Sequence, residues 1–238
     1  MKLDILAIGI HPDDVELSCA GTLLKHKALG KKIGVLDLSR GELGTRGNAE
    51  LRTQEAEQAA KILNLDVRVQ LNCKDGFFEN NESNQLMIIE QIRKFQPEIV
   101  LCNAITDRHP DHGRSAKLVS DASFYSGLIK IKTNNDEKEQ KAWRPKAIYH
   151  YIQDYYIHPD FVIDVSDFME VKLQSILAYS SQFYNPKSNE PETAISSKHF
   201  LDTIKAKMNI WGRSIGVEYA EGFTVERYPG VNTLFDLL

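Results

Sequence analysis

Two short segments carry most of the residues able to do chemistry. His11-Pro12-Asp13-Asp14 and Arg108-His109-Pro110-Asp111-His112 together hold three imidazoles and three carboxylates. Nitrogen and oxygen donors of this kind suit a zinc ion or another divalent metal. A catalytic zinc site takes three protein ligands and leaves one position open, so two histidines and one carboxylate meet the count. The acids and the imidazole left over could act as base, acid or groups that orient the ligands. Which carboxylate ligates and which handles a proton stays open at this level. The chemistry such a surplus supports is metal-assisted hydrolysis.

His-Pro-Asp also has a plainer use, as a turn in which proline fixes φ and aspartate caps the next helix. His158-Pro159-Asp160 is read that way, because it precedes a predicted strand instead of ending one. The first two copies differ in position, since each follows a strand that must bring it to the other.

Residues 3–10 form a near-continuous apolar run, as expected of a strand buried on both faces. A helix over 16–29 ends at Gly30, followed by a strand over 32–38, a helix over 49–63 and a strand over 67–71. A helix over 86–95 stops before Pro97, and 98–103 supplies a fourth strand. This repeated alternation predicts an α/β fold, a Rossmann-like, doubly wound and mainly parallel sheet with helices on both faces. In that topology the order 3-2-1-4 sets strands one and four side by side, with the ligand crevice at their carboxyl ends. The second half adds predicted helices over 113–125, 167–183 and 197–213 and strands over 147–152 and 161–165. One domain spans 1–238, with 1–130 as the Rossmann-like core and 131–238 completing it.

Composition agrees with one ordinary globular domain, at 42% hydrophobic and 26% charged residues. The net charge of -4 and the scattered lysines and arginines offer no phosphate-binding stripe, which disfavours nucleic acid and anionic membrane as partners. No run approaches a membrane span, and the first residues lack a signal-peptide cleavage site. Cys19, Cys73 and Cys102 are odd in number and far apart, against a disulfide framework or a cysteine zinc site; a cytoplasmic protein with reduced thiols is expected. Cys19 and Cys102 read as small core residues, and His26, His150 and His199 as isolated histidines. The charged run 132–141 is expected to be a solvated loop, and 184–194, with two prolines, a loop that could cover a site. Glycines 41, 44 and 47 lack the lysine and serine order of a phosphate loop, and Gly9-Ile10-His11 is no dinucleotide fingerprint.

The two histidine motifs resemble the signatures of LmbE-like, PIG-L-type N-acetylglucosamine deacetylases. The resemblance covers most of the chain. Residues 40–47 (Arg-Gly-Glu-Leu-Gly-Thr-Arg-Gly), 75–78 (Asp-Gly-Phe-Phe) and 216–223 (Gly-Val-Glu-Tyr-Ala-Glu-Gly-Phe) are similar to the bacillithiol biosynthesis branch. It implies zinc held by His11, Asp14 and His112, with iron, cobalt or manganese as other occupants of such a donor set. It further implies Asp13 as general base, His109 as an imidazolium supporting the oxyanion, and Asp111 hydrogen-bonded to His109. The implied substrate is a small sugar, N-acetylglucosamine α-linked to malate. Its carboxylates would be met by Arg52 and Arg108, with Arg46 a weaker third choice. Relatives of this kind are often homo-oligomers, hexamers among them. The alternatives are another N-acetylglucosamine derivative, a thiol-conjugate amide, or a protein that only binds a metal or sugar.

Overall fold

The computed structural model describes residues 1–237. The chain runs β1 (Ile5–Gly9), α1 (Asp14–Ala28), β2 (Ile33–Asp37), α2 (Ala49–Ile62), β3 (Val67–Gln70), α3 (Glu82–Phe95), β4 (Ile99–Cys102) and α4 (Pro110–Tyr125). A hairpin follows, β5 (Asn134–Asn135) and β6 (Lys138–Glu139), and then β7 (Ala147–Tyr151), β8 (Phe161–Asp164), α5 (Met169–Leu177), α6 (Lys198–Ser214) and β9 (Ala220–Val225). The main sheet has the order β3-β2-β1-β4-β7-β9-β8, with β9 antiparallel to both neighbours. The predicted 3-2-1-4 arrangement and the mainly parallel pairing are therefore present.

Alternation along the strands divides the core. Leu6, Ile8 and Val100 face α3 and α4, where they meet Ile88, Ile92, Leu118 and Val119. Ile5, Ala7 and Val35 face the other way, onto Val15, Cys19 and Leu23 of α1. Burial on both faces is why these strands read as continuous apolar runs. No helix among the described residues is long and apolar enough to cross a membrane.

Two expectations need correction, and one strand is absent from the sequence reading. The helix predicted over 167–183 is a 3-10 turn at Ser166–Phe168 followed by α5, which ends at Leu177. Glu55 takes the Ser181 amide at 2.7 Å, and Tyr179 and Phe183 turn inward onto Ala56 and Ala59 of α2. The charged run 132–141 is a hairpin, not just a solvated loop. Arg93 anchors its approach by donating to the carbonyls of Ser126, Leu128 and Ile131 and to Thr133 Oγ1. Finally, β9 was not anticipated as a strand.

The C-terminal third is tied to α1 by a buried ion pair. Lys172 Nζ lies 2.8 Å from Glu221 Oε1, and both side chains are essentially inaccessible. The ammonium also donates to the carbonyls of Glu16 and Leu17, while Glu221 accepts from the amides of Gly21 and Thr22. Gly21 permits this approach, because a Cβ there would stand 2.8 Å from Val165 and 3.0 Å from Glu221. Removing one partner strands the other charge in the core. Lys172→Met is therefore expected to cost about 3–5 kcal/mol in urea unfolding, and Lys172→Met combined with Glu221→Gln distinctly less. Equal losses in the single and double variants would refute that account.

Candidate active site

The two motifs meet because β1 and β4 pair in register, Ile5 with Ile99 through Ala7 with Leu101. Just beyond the strands, the Ile10 amide donates to Asn103 Oδ1 at 3.0 Å. His11 follows β1, Asp13 caps α1, Asp14 is its first residue, and His109 caps α4 with Asp111 and His112 in its first turn.

Asp14 is the centre of the cluster. Its Oδ2 accepts from the His11 amide and from Asn103 Nδ2, each at 2.9 Å, and its Oδ1 accepts from Gln153 Nε2 at 3.0 Å. The same carboxylate lies 3.2 Å from His112 Nε2 and 3.8 Å from His11 Nδ1. Each imidazole turns its other nitrogen to a second carboxylate. His112 Nδ1 is 2.5 Å from Asp107, and His11 Nε2 is 3.0 Å from Asp75 and 3.3 Å from Asp111. A carboxylate behind each imidazole is the arrangement that fixes the ring and raises basicity in metal-ligating histidines. His11, Asp14 and His112 thus fit a divalent cation. Donor atoms of His11, His109 and His112, and separately of His11, Asp75 and Asp111, fall within 4.8 Å of one another. The set of three histidines and the set built on Asp14 both leave the carboxylates behind His11 and His112 in place, whereas the set with Asp75 and Asp111 consumes those behind His11.

Charge follows from this packing. Burial opposes ionisation of Asp14, yet His112 and His11 hold its carboxyl far below the usual range. Burial likewise opposes protonation of the two imidazoles, but the surrounding carboxylates raise His11 to about 10 and His112 to about 9. Asp13 goes the other way. Burial pushes it up to about 7, against the pull of Arg52.

Asp13 adopts φ 108°, a left-handed conformation that a residue with a Cβ rarely holds. The contact that compensates is Arg52, whose guanidinium donates to Asp13 Oδ2 at 3.0 Å and to the Pro12 carbonyl. Gly41, at φ 64°, lets that guanidinium in, since a Cβ there would stand 2.0 Å from Arg52 Nη1. Strain of this kind at a buried carboxylate marks a position held for use.

His109 and Asp111 do not pair as the resemblance implies. The Asp111 carboxylate is taken by His11, the Gly76 amide and Arg114. His109 Nδ1 instead accepts the Asp111 backbone N–H at 3.3 Å, which leaves its ring proton on Nε2. Burial and the charged His11 and His112 lower its pKa below the ordinary value, so it stands as a neutral donor.

His11, Asp13, Asp14, His109 and His112 line a cavity of about 430 Å³. Arg52 and Arg108 both reach it, each already paired with a carboxylate, Asp13 and Asp154 respectively. Arg46 stands apart, bonded to Ser188. From the segment 184–194, Thr193 and Ala194 line the cavity, and Glu190 accepts the Gly47 amide. His158-Pro159-Asp160 lies away from it, with Asp160 accepting the Val225 amide. Several polar residues of the site were not anticipated, among them Asn103, Asp107, Gln153, Asp154 and Lys207, and Asp75 entered only as part of a motif. Asn103, Asp107 and Gln153 stand just past the ends of β4 and β7, a position that could have marked them. Asp107→Asn is expected to weaken metal binding about 10- to 100-fold with the fold intact, as read by competition with a chromogenic chelator. Unchanged affinity would mean that Asp107 does not orient a ligand.

Residues 6–123 match the family model described as PIG-L, GlcNAc-PI de-N-acetylase. Diacetylchitobiose deacetylase of Thermococcus kodakarensis is 29% identical over 95% of this chain and 84% of its own length. Among solved structures, the conserved protein TT1542 from Thermus thermophilus superposes with a TM-score of 0.84 at 34% identity, covering 97% of each chain. GalB, the 4-carboxy-2-hydroxymuconate hydratase of Pseudomonas putida KT2440, shares the fold at a TM-score of 0.78 and 19% identity, covering 98% of this chain and 100% of its own. Since a hydratase has this fold too, activity has to be argued from the site.

Proposed function

We propose, from the premise that the chain belongs to the PIG-L/LmbE-like deacetylase family and is a hydrolytic enzyme, that it removes acetate from an N-acetylglucosamine derivative. The observation that carries this reading is a strained, buried Asp13 with a pKa near 7 beside a three-ligand donor set. His11, Asp14 and His112 hold the metal. A bound divalent cation, zinc in this reading, supplies Lewis acidity toward the amide carbonyl and toward water.

The protein's own groups do the rest. Asp13 accepts a proton from the attacking water at its carboxylate, a role suited to a group whose pKa lies near neutral pH. Arg52 keeps that carboxylate aimed through its bond to Oδ2. His109, capped at Nδ1, offers its Nε2–H to the oxyanion of the tetrahedral intermediate, worth about 3–4 kcal/mol in a site that excludes water. The proton on Asp13 then passes to the departing amine, and acetate leaves.

The finer reading is a malate-linked substrate. Arg108 is exposed, and it is placed to exchange Asp154 for a substrate carboxylate. The deciding experiment loads the purified protein with zinc and measures acetate release from N-acetylglucosaminyl malate, diacetylchitobiose and a thiol-conjugate amide. Release from none of them, with metal confirmed in the protein, would leave only a metal- or sugar-binding role. Release from diacetylchitobiose alone would remove the malate reading and keep the deacetylase.

A further inference from the structure

Helix α6 turns Phe200, Thr203, Ile204 and Lys207 toward the cavity, a stripe at helical spacing with its one charge at the C-terminal end. Lys207 Nζ donates to the backbone carbonyl of Gln153, whose side chain in turn holds Asp14. The ammonium therefore stands on the wall beside the proposed metal ligands. Besides the charged imidazoles of His11 and His112, one lysine and two arginines line this cavity, and both arginines are matched: Arg52 by Asp13 and Arg108 by Asp154. Among the described residues Lys207 has no carboxylate within 4.0 Å. An ammonium has three donors, and one is used here. Burial, aided by Lys172, lowers its pKa to about 8, against the weaker pull of Asp154 and Asp107. Phe200 and Ile204 keep the local dielectric low, so an anion arriving there is held more strongly than at an exposed lysine.

We propose that Lys207 is a specificity-determining residue, the group that takes a carboxylate on the non-reacting part of the substrate. The inference rests on the deacetylase reading of the site and adds a second determinant beside Arg108, one that has no carboxylate partner to release first. In the bound state the carboxylate accepts from Lys207 Nζ while the acetamide lies at the metal ligands.

The test compares N-acetylglucosaminyl malate with the methyl glycoside of N-acetylglucosamine as substrates for the wild type, Lys207→Met and Lys207→Arg, with metal content measured for each. The ratio of kcat/KM for malate over methyl glycoside is expected to fall about 10- to 100-fold in Lys207→Met, chiefly through KM, and to recover in Lys207→Arg. An unchanged ratio overturns the proposal, whether both substrates slow together through Gln153 and lost metal or neither is affected. Calorimetric binding of the malate glycoside to the Asp13→Asn protein, with and without Lys207→Met, reads the same contact without turnover. Equal dissociation constants there overturn the proposal, and failure of turnover in every variant counts against the deacetylase reading alone.

Discussion

Asp13→Asn is expected to slow acetate release about a hundred- to ten-thousand-fold while the protein keeps its metal and its fold. Asparagine preserves the shape of the side chain and accepts no proton. Two features make the variant informative. Asp13 is not among the proposed ligands, so metal content measured by mass spectrometry should match the wild type. Its contact with Arg52 is an ion pair at 3.0 Å, so the uncharged amide loosens the turn at φ 108° as well as removing the base. Asp13→Glu separates the two effects by retaining charge and misplacing it. Wild-type rates in Asp13→Asn would show that another group takes the proton, and would return the protein to the binding role.

The second large effect is expected from His112→Ala, which should leave the protein almost free of metal and without activity, reproduced in the wild type by a chelator and reversed by zinc. This loss should depend on pH in a defined direction. In the metal-free protein His11 and His112 have pKa values of about 10 and 9, raised by their carboxylates against the opposing effect of burial. Both are therefore protonated at pH 7, and an imidazole must lose its proton to ligate. Loading at pH 7 should release about two protons per metal, and affinity should climb with pH until both imidazoles are neutral near pH 10. Calorimetry in buffers of different ionisation enthalpy counts those protons. Proton release near zero at pH 7 would exclude His11 and His112 as the ligands.

Much of this could be read from the sequence, for identifiable reasons. Strands buried on both faces declare themselves as apolar runs, as β1, β2 and β4 did, while β3, at the sheet edge, shows alternation instead. Given these four strands, the doubly wound order by itself brings His11 and His112 together. What escaped notice was single residues with no spacing to advertise them. Asp107 and Gln153 are lone polar side chains in loops, and only the fold shows that one stands behind His112 and the other on Asp14. The β9 sequence Ala-Glu-Gly-Phe-Thr-Val hid its nature because a charged residue, Glu221, occupies a buried position that alternation would reserve for an apolar one. The Asp111–His109 contact implied by the resemblance failed on geometry, since the first turn of α4 directs that carboxylate to His11.

Glu221 meets the amide of Gly21 across a sequence separation of 200 residues. As the chain leaves the ribosome, every proposed ligand emerges early, within the stretch 6–123 that the family model covers. The helix presenting Asp13 and Asp14 acquires its last hydrogen bonds only once β9 has been made. Before then Lys172 has no counter-charge to bury, and the amides of Gly21 and Thr22 lack their acceptor. The helix that carries Asp13 and Asp14 is thus fixed against the C-terminal third only when the ninth strand is in place.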